Sequence, residues 1–277
     1  MASIIDGKKI ADDIKREVKI ETEQLKASRG ITPGLAFILV GENPASQSYV
    51  RMKGKACEEM GFYSITERLS AETSEAYLLH LIDQFNRDVR IHGILVQLPL
   101  PKHISEEKVI TAIDYKKDVD GFHPINVGRL VIGQECLRPC TPAGVQELLV
   151  RSGNDPSGKH VVVVGRSNIV GKPVANILLQ KQKGANAVVT IAHTGANDIS
   201  HFTKQADILI AGIGKPECIT GDMLKSGVVV IDVGINRVED SAAKNGYRIV
   251  GDVHFASAEK IAKAITPVPG GVGPMTI

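Results

Sequence analysis

The sequence lacks several features that would assign it to a class directly. Lys and Arg number 33 against 31 Asp and Glu, so no strong overall field attracts the chain to nucleic acid or to an anionic membrane. No apolar run approaches the ~20 residues that a membrane-spanning helix needs. The N-terminus reaches a charge at Asp6 before any apolar signal segment can form. These absences predict a soluble, cytoplasmic protein that binds neither nucleic acid nor membrane.

Motifs for metal binding and nucleophilic catalysis are also missing. The four cysteines form no CxxC pair, and Cys136 and Cys140 have no nearby histidine cluster that would complete a zinc site. We interpret the cysteines as reduced structural thiols. HExxH, GxSxG and the P-loop do not occur, and the histidines show no metal-ligand spacing. The sequence therefore argues against a metallohydrolase or an ATPase, and it predicts no metal site.

The first half of the chain alternates strand and helix patterns after an N-terminal amphipathic helix that ends near Gly30. The predicted elements are a strand at 35–40, a helix at 44–60, a strand at 63–69, a helix at 73–86 and a strand at 93–98. Strands separated by helices predict parallel pairing. The stretch 116–142 is rich in Gly, Pro and Asp, which predicts a catalytic loop and the domain junction. Thr141 and Pro142 then predict the N-cap and first turn of a connecting helix.

The second half repeats this alternation with apolar, β-rich runs. The predicted strands are 161–164, 187–192, 207–213 and 228–233. Because 277 residues exceed a typical single domain, we predict two domains in an α/β protein. The first is an α/β catalytic domain with a mostly parallel sheet, and the second is a Rossmann-like, doubly wound domain.

A dinucleotide site is predicted at the turn that follows the first strand of the second half. Gly165 and Gly171 flank a turn between an apolar strand and a helix, whose N-terminal N–H groups favour phosphate. The spacing is not the usual GxGxxG, and a glycine after a strand is often only a tight turn. The surrounding strand–helix alternation favours the dinucleotide interpretation.

The same region favours NADP over NAD. NAD-selective folds usually place an acid about 20 residues past the first glycine to bind the ribose hydroxyl. The segment 185–195 contains no acid, whereas Arg166, His193 and Thr194 offer donors to a 2′-phosphate. Arg166 also has a simpler interpretation as a solvated surface cation.

Catalytic candidates occur at three places in the first half. Tyr49 and Lys53 lie four apart on the predicted helix, where Lys53 interrupts a largely apolar stripe; partial burial there would lower its pKa toward the range of a general acid or base. Gln97 ends an apolar strand before two prolines, and Asp118 and Asp120 precede Gly121. Each has an alternative: Lys53 as a snorkelling side chain, Gln97 as a surface amide, and Asp118 as a turn cap.

Taken together, these residues resemble the methylenetetrahydrofolate dehydrogenase/cyclohydrolase family from about residue 3 to the end. The matching blocks are Ser48-Tyr49-Val50 with Lys53, Lys55 and 56–59; 96–101; 117–122; 139–142; 164–173; 232–236; and 267–276. Seven blocks in the same order are far more specific than a single motif.

The resemblance implies a role for each matching residue. Lys53 would be the acid/base of the cyclohydrolase step, Gln97 would tune its protonation, Tyr49 would contact the folate and Asp120 would hold the pterin ring. Further residues implied in folate binding are Pro99, Pro269, Gly270 and Gly273. Residues implied in NADP binding are Gly165, Arg166, Ser167, Thr194 and Ile235; the family often has Ser where this chain has Thr194.

The resemblance also implies an organisation and an activity. The folate-binding catalytic domain would comprise residues 1–139 with the returning segment 267–277, and the NADP-binding domain residues 140–266, with the active site in the cleft between them and a homodimer formed through the second domain. The enzyme would oxidise 5,10-methylenetetrahydrofolate with NADP and hydrolyse the methenyl product to 10-formyltetrahydrofolate. Family members usually continue into a terminal helix, whereas this sequence stops at Ile277.

Other functions remain open from the residues alone. A monofunctional dehydrogenase, an NAD-preferring enzyme and a non-catalytic folate- or nucleotide-binding regulator are the alternatives. The combination of Lys53, Gln97 and Asp120 argues against the first, and the acid-free segment 185–195 against the second. Tyr49 together with those three residues argues against the third.

Overall fold

A computed structural model describes residues 1–243 and 246–277. The chain forms two compact units. The nucleotide unit, as we name it, comprises Met1–Ala11 and Pro139–Thr276, and the catalytic unit comprises Asp12–Arg138 with Ile277.

Both units are built from parallel strands connected by helices. The helices are α1 (Gly7–Arg29), α2 (Pro44–Met60), α3 (Glu75–Arg87), α4 (Glu106–Ala112), α5 (Pro124–Val131), α6 (Cys140–Arg151), α7 (Gly171–Leu178), α8 (Ser200–Thr203), α9 (Phe255–Ala258) and α10 (Val272–Thr276), with a 3₁₀ turn at Gly221–Met223. The strands are β1 (Ser3–Ile4), β2 (Gly34–Val40), β3 (Tyr63–Leu69), β4 (Gly93–Val96), β5 (His160–Val164), β6 (Val188–Ala192), β7 (Ile208–Ala211), β8 (Val229–Asp232), β9 (Asn236–Glu239), β10 (Tyr247–Val250) and β11 (Ala264–Ile265).

The catalytic unit contains a three-stranded parallel sheet in the order β3-β2-β4. The central strand β2 is almost wholly buried because its residues are apolar on both faces. Helix α2 follows it, starting at Pro44 with the Asn43 side chain accepting from Ala45 N and Ser46 N. This arrangement fixes the helix that carries Tyr49 and Lys53.

The nucleotide unit contains a six-stranded parallel sheet in the order β1-β11-β8-β7-β5-β6. The chain leaves β5 toward β6 on one side and then returns to β7 on the other, so the winding direction reverses at β5. This confirms the predicted doubly wound sheet. In such sheets the crevice beyond the carboxyl ends of the strands at the reversal is the usual ligand site.

The two ends of the chain group differently from the prediction, which placed residues 1–139 and 267–277 together. Residues 1–11 and 267–276 belong to the nucleotide unit. The physical reason is strand pairing: β1 pairs with β11, which pairs with β8. The C-terminal helix α10 is then held on α6, where the Thr141 and Thr276 hydroxyls are 2.9 Å apart.

Several elements differ from the sequence-based expectation. Helix α5 lies within 116–142, which was predicted as irregular, and it begins at Pro124 with the His123 ring accepting from Ile125 N. Helix α6 has Pro139 rather than Thr141 at its N-cap. The antiparallel hairpin of β9 and β10 was not predicted, and residues 244–245 between those strands lie outside the described part of the chain.

Candidate functional site

Lys53 and Gln97 meet in the catalytic unit. Helix α2 carries Lys53, and Gln97 directly follows β4, where its backbone N–H still donates to Ile38 O at 2.9 Å. Lys53 Nζ donates to Gln97 Oε1 at 3.3 Å, and both side chains are half-buried. The amide oxygen orients one ammonium proton and leaves the others available to a ligand.

The Gln97 amide is itself fixed at both ends. Its Nε2 donates to Leu98 O at 2.8 Å, so the oxygen that receives Lys53 has a defined orientation. The Leu98–Pro99 peptide is cis, and the Pro99 ring is exposed beside this turn. Tyr49 lies one helical turn before Lys53 and is half-buried, which leaves part of its ring open to a ligand.

Asp120 lies close enough to Lys53 for their charges to interact. Burial raises the pKa of the Asp120 carboxyl to about 6, an effect that the Lys53 ammonium opposes and the Asp118 carboxylate reinforces. The carboxyl therefore titrates near neutral pH rather than near its ordinary value of 3.8. A carboxylate with a perturbed pKa beside a lysine–amide pair is typical of an enzyme active site.

Asp118 holds the loop that carries Asp120. Its side chain is 2% exposed, and its Oδ2 accepts from His123 N at 2.8 Å and from Asn126 Nδ2 at 2.9 Å. Asn126, also buried, donates from the same nitrogen to Tyr115 O at 2.7 Å. Asp118 thus does more than cap a turn. Sequence reasoning missed Asn126, because its only signal was an amide in a predicted loop.

The turn after β5 brings Gly165 and Gly171 together at the reversal point of the large sheet. Gly165 has φ +130°, and a Cβ added there would lie 2.2 Å from Gly212 O in the loop after β7. A Cβ on Gly171 would lie 2.2 Å from Gly165 O. Ser167 Oγ accepts from Val170 N at 3.1 Å and so shapes the start of α7. Only glycine permits this close backbone packing.

Arg166, in the turn after β5, lies next to His193, which directly follows β6. Arg166 Nη1 lies 3.4 Å from His193 Nε2, while His193 Nδ1 accepts from Gly195 N at 3.0 Å. The contact with Gly195 N favours the tautomer with its proton on Nε2, in which His193 and Arg166 both offer N–H groups on the same side. An anion between them would accept from both. Thr194 is exposed directly beside His193.

The remaining predicted residues lie in the loops after β8 and β11 and, for Gly273, at the start of α10. Ile235 is 54% exposed, and its Cδ1 would be 3.9 Å from a Cβ on Gly273. Gly270 O accepts from Lys8 N at 3.2 Å, and Pro269 is exposed after a cis peptide bond. The structure therefore brings Ile235 and Gly273 together within the nucleotide unit.

Three further features concern metal ligands, membrane-spanning helices and cysteines in the described residues. Across residues 1–243 and 246–277, no three His, Cys, Asp or Glu side chains gather as metal ligands. Among the helices of that same part of the chain, none has the length and apolar character needed to traverse a bilayer. In the same part of the chain, which includes all four cysteines, no disulfide bond forms.

The fold and these residues define a class: an α/β enzyme with a dinucleotide-binding sheet and a separate unit that carries a lysine, an amide and a carboxylate. The family model described as the tetrahydrofolate dehydrogenase/cyclohydrolase catalytic domain matches residues 5–120. The NAD(P)-binding domain model of the same family matches residues 139–277. The chain belongs to the tetrahydrofolate dehydrogenase/cyclohydrolase family.

Known proteins are similar over the whole chain. The bifunctional protein FolD of Moorella thermoacetica is 62% identical over 276 residues, which cover 100% of this chain and 95% of that protein. The crystal structure of the bifunctional dehydrogenase/cyclohydrolase from Campylobacter jejuni superposes with a TM-score of 0.93 at 48% identity, over 100% of this chain and 94% of that one. The Trypanosoma brucei enzyme, solved with NADP and an inhibitor, has a TM-score of 0.92 at 40% identity, over 99% and 93% of the two chains.

Proposed function

We propose that this enzyme oxidises 5,10-methylenetetrahydrofolate to the 5,10-methenyl cation with NADP and then hydrolyses that cation to 10-formyltetrahydrofolate. The observation that carries the proposal is the hydrogen bond between Lys53 Nζ and Gln97 Oε1, 3.3 Å long, beside the carboxyl of Asp120. It occurs in the part of the chain that matches the family's catalytic-domain model.

In the oxidation, the protein mainly binds and aligns the folate. NADP, when bound, supplies the hydride acceptor. Asp120 as a carboxylate accepts hydrogen bonds from the amide and amino N–H groups of the pterin, and Tyr49 packs against the folate. These contacts fix the donor carbon, so proximity and orientation account for most of the rate enhancement of this step.

In the hydrolysis, Lys53 manages the protons. Water attacks the carbon between N5 and N10 and loses a proton, and the bond to N5 then breaks as N5 gains a proton from the carbinol. One proton is released overall. Lys53 is positioned to relay these protons because Gln97 holds its ammonium in one orientation.

The cofactor proposal is NADP rather than NAD. The neighbouring side chains of Arg166 and His193 provide the support, because a 2′-phosphate would accept charge-assisted hydrogen bonds from both. Gly165, Ser167, Thr194 and Ile235 complete the proposed cofactor contacts. Pro99, Pro269, Gly270 and Gly273 complete the proposed folate contacts.

The proposal includes a homodimer formed through the nucleotide unit and a cytoplasmic location. Strand β6 forms one edge of the large sheet. Two of its residues, Val188 and Ile191, are 66% and 41% exposed. An edge strand with exposed apolar side chains favours association with a second copy. A reducing compartment suits cysteines that form no disulfide bond in the described residues.

The decisive experiment compares two lysine substitutions on the same helix. NADPH formation and 10-formyltetrahydrofolate formation are measured separately for Lys53→Met and Lys55→Met, with NADP and NAD. Lys53→Met should lose cyclohydrolase activity by about 100-fold or more, the contribution expected of a general acid/base, and lose less dehydrogenase activity. Lys55 is exposed and lies 3.7 Å from Glu59, so Lys55→Met should retain both activities.

The outcomes discriminate between the possible functions. Equal retention of both activities in Lys53→Met would remove Lys53 from the mechanism. Wild-type enzyme that forms NADPH but accumulates the methenyl product would be a dehydrogenase alone. Absence of turnover with either cofactor would favour a non-catalytic binding protein.

A further inference from the structure

Two carboxylates at the carboxyl edge of the large sheet have no part in the chemistry described above. Asp232 ends β8 and is 3% exposed, and Asp252 follows β10 and is fully buried. Burying an ionisable group costs free energy unless hydrogen bonds or an opposite charge compensate for the lost water. The position of this acid pair and its hydrogen bonds indicate what it fixes.

Asp252 ties together two loops. Its Oδ2 accepts from Ile213 N at 2.6 Å and from Gly214 N at 2.9 Å, in the loop that follows β7. Its Oδ1 accepts from Asn236 Nδ2 at 2.8 Å, at the start of β9. Three donors converge on one carboxylate, and each requires an acceptor.

Asp232 fixes the neighbouring turn. Its Oδ1 accepts from Gly234 N at 2.9 Å and from Asp252 N at 3.0 Å, and its Oδ2 accepts from Val253 N at 2.9 Å. A Cβ on Gly234 would lie 2.3 Å from Asp252 Oδ1. Asp232 is thus hydrogen-bonded to the backbone of Asp252, and Asp252 in turn packs against Gly234, where there is no room for a side chain.

The partners of the acid pair are all amide dipoles. In residues 1–243 and 246–277, the two carboxylates accept from backbone N–H groups and from Asn236 Nδ2, and no Lys or Arg side chain pairs with either of them. Burial raises the pKa of Asp232 to about 6, and the neighbouring Asp252 charge adds to the effect. An asparagine at either position would turn an N–H₂ group toward N–H donors. The acceptor-only chemistry of a carboxylate is therefore what the site uses.

The loops that the acid pair fixes lie on the β7–β8 side of the Gly165 turn. Arg166 and His193 lie on the opposite, β6 side, where we propose the 2′-phosphate. A dinucleotide bound across the reversal point extends from one side to the other, so the nicotinamide belongs beside β7 and β8. Ile235, half-exposed, lies there between Gly234 and Asn236, which Asp232 and Asp252 hold.

We propose that Asp232 and Asp252 are positioning residues for hydride transfer, which hold the 212–214 and 234–236 loops in the geometry that binds the nicotinamide end of NADP. The inference rests on the proposed dehydrogenase function. It assigns a role to a pair of residues that touch neither substrate in the proposed mechanism.

The first test is Asp252→Asn, measured by direct NADP binding, dehydrogenase kinetics and cyclohydrolase kinetics on methenyl substrate. In this variant the amide oxygen accepts from Ile213 N and Gly214 N, and the N–H₂ group then faces Asn236 Nδ2, so the bond to Asn236 is lost unless the Asn236 amide turns by 180°. The charge that strengthens all three bonds is lost in both cases. We expect the Kd for NADP to rise and the dehydrogenase kcat to fall, each by about 10-fold, the effect of one lost hydrogen bond. Cyclohydrolase activity should change less than about two-fold, because Lys53 and Gln97, which are proposed for the proton transfers of that step, lie in the catalytic unit.

The second test exchanges the two polar groups. Asn236→Asp alone sets two carboxylates against each other and should weaken NADP binding at least as much as Asp252→Asn. In Asp252→Asn with Asn236→Asp, the amide donates to the new carboxylate and its oxygen still accepts from Ile213 N and Gly214 N. The exchange should recover most of the NADP affinity and most of kcat.

Asp222→Asn is the matched control, because Asp222 is exposed on the 3₁₀ turn of the same unit, and it should leave all three measurements unchanged. Lower thermal stability of Asp252→Asn with wild-type Kd and kcat would overturn the proposal, since the pair would then be only structural. Failure of the exchange to recover affinity in a folded protein would also overturn it. Wild-type enzyme that binds NADP without oxidising folate would refute the proposed function, while the Kd comparison would still test the acid pair.

Discussion

At the scale of single residues, the proposed contact between Asp120 and the pterin depends on the charge of this side chain. The pKa of its carboxyl is raised to about 6 by burial, so the carboxylate is present above that pH and is lost as the pH falls through it. A protonated carboxyl loses one of its acceptor positions and its charge. The ability of Asp120 to bind the pterin should therefore change within the experimentally accessible pH range.

We predict that the dehydrogenase kcat/KM for folate falls about 10-fold per pH unit below about 6, as expected for one essential carboxylate. The Lys53 charge lowers the Asp120 pKa, so Lys53→Met should move this acidic limb to higher pH. The pH profiles of the wild type and Lys53→Met check this, with Lys55→Met as the control that should retain the wild-type limb. If the acidic limb of the Lys53→Met profile stays at the wild-type pH or moves to lower pH, the proposed role of Asp120 is contradicted.

Lys53 and Gln97 were singled out separately, one in an apolar stripe and one at a strand end, and only the family resemblance implied that they act together. They are hydrogen-bonded in the structure, and their roles stay predictions. For Asp118 the sequence offered only a catalytic candidate or, as the alternative, a turn cap, because it does not reveal that His123 N and Asn126 Nδ2 converge on this side chain. Asp252 gave no signal either, since its partners lie 16 to 39 positions away.

At the scale of elements, the start of α7 depends on the absence of a side chain at Gly171. A Cβ there would lie 2.2 Å from Gly165 O, 2.6 Å from Gly165 C and 2.9 Å from Arg166 N. These are backbone atoms of the proposed phosphate-binding turn, and they cannot move without moving the turn.

We predict that Gly171→Ala lowers the free energy of unfolding by about 1–3 kcal/mol, as other overpacking substitutions do, and weakens NADP binding. Gly128→Ala is the control: Gly128 is exposed in α5 and has no atom within 4 Å of an added Cβ. It should raise stability by about 0.5–1 kcal/mol because alanine favours helix. Urea unfolding and NADP titration measure both effects. A Gly171→Ala variant as stable as the wild type would contradict the close packing.

Elements with strong local signals were predicted almost to the residue. Helix α2 and strand β3 have the expected bounds, since Pro44, Gly61 and the apolar pattern act locally. Strand β4 ends at Val96, two residues early, and the cis Leu98–Pro99 peptide follows. The very short strands β1 and β11 were missed because two residues carry no periodicity.

At the scale of the whole molecule, the predicted α/β class is confirmed, and the two chain ends group with the nucleotide unit. Strand β1 joins the large sheet through β11, a pairing of residues about 260 positions apart. Such long-range pairing leaves no local pattern in the sequence, whereas the α/β class follows from the alternation of strands and helices along the chain. The same reasoning applies to association, which depends on which surface the folded chain leaves uncovered.

The proposed homodimer makes strand β6 the surface to test. Its free edge and its exposed Val188 and Ile191 would pair with a second copy, and lysine on an edge strand opposes such pairing by charge and desolvation. We predict that Val188→Lys with Ile191→Lys weakens dimerisation by about 100-fold or more, equivalent to ~3 kcal/mol, and shifts the sedimentation coefficient to that of a monomer. Ile132→Lys is the matched control, because Ile132 is 68% exposed in the catalytic unit. A double variant that still sediments as a dimer would exclude β6 as the interface, and a monomeric wild type would exclude the homodimer itself.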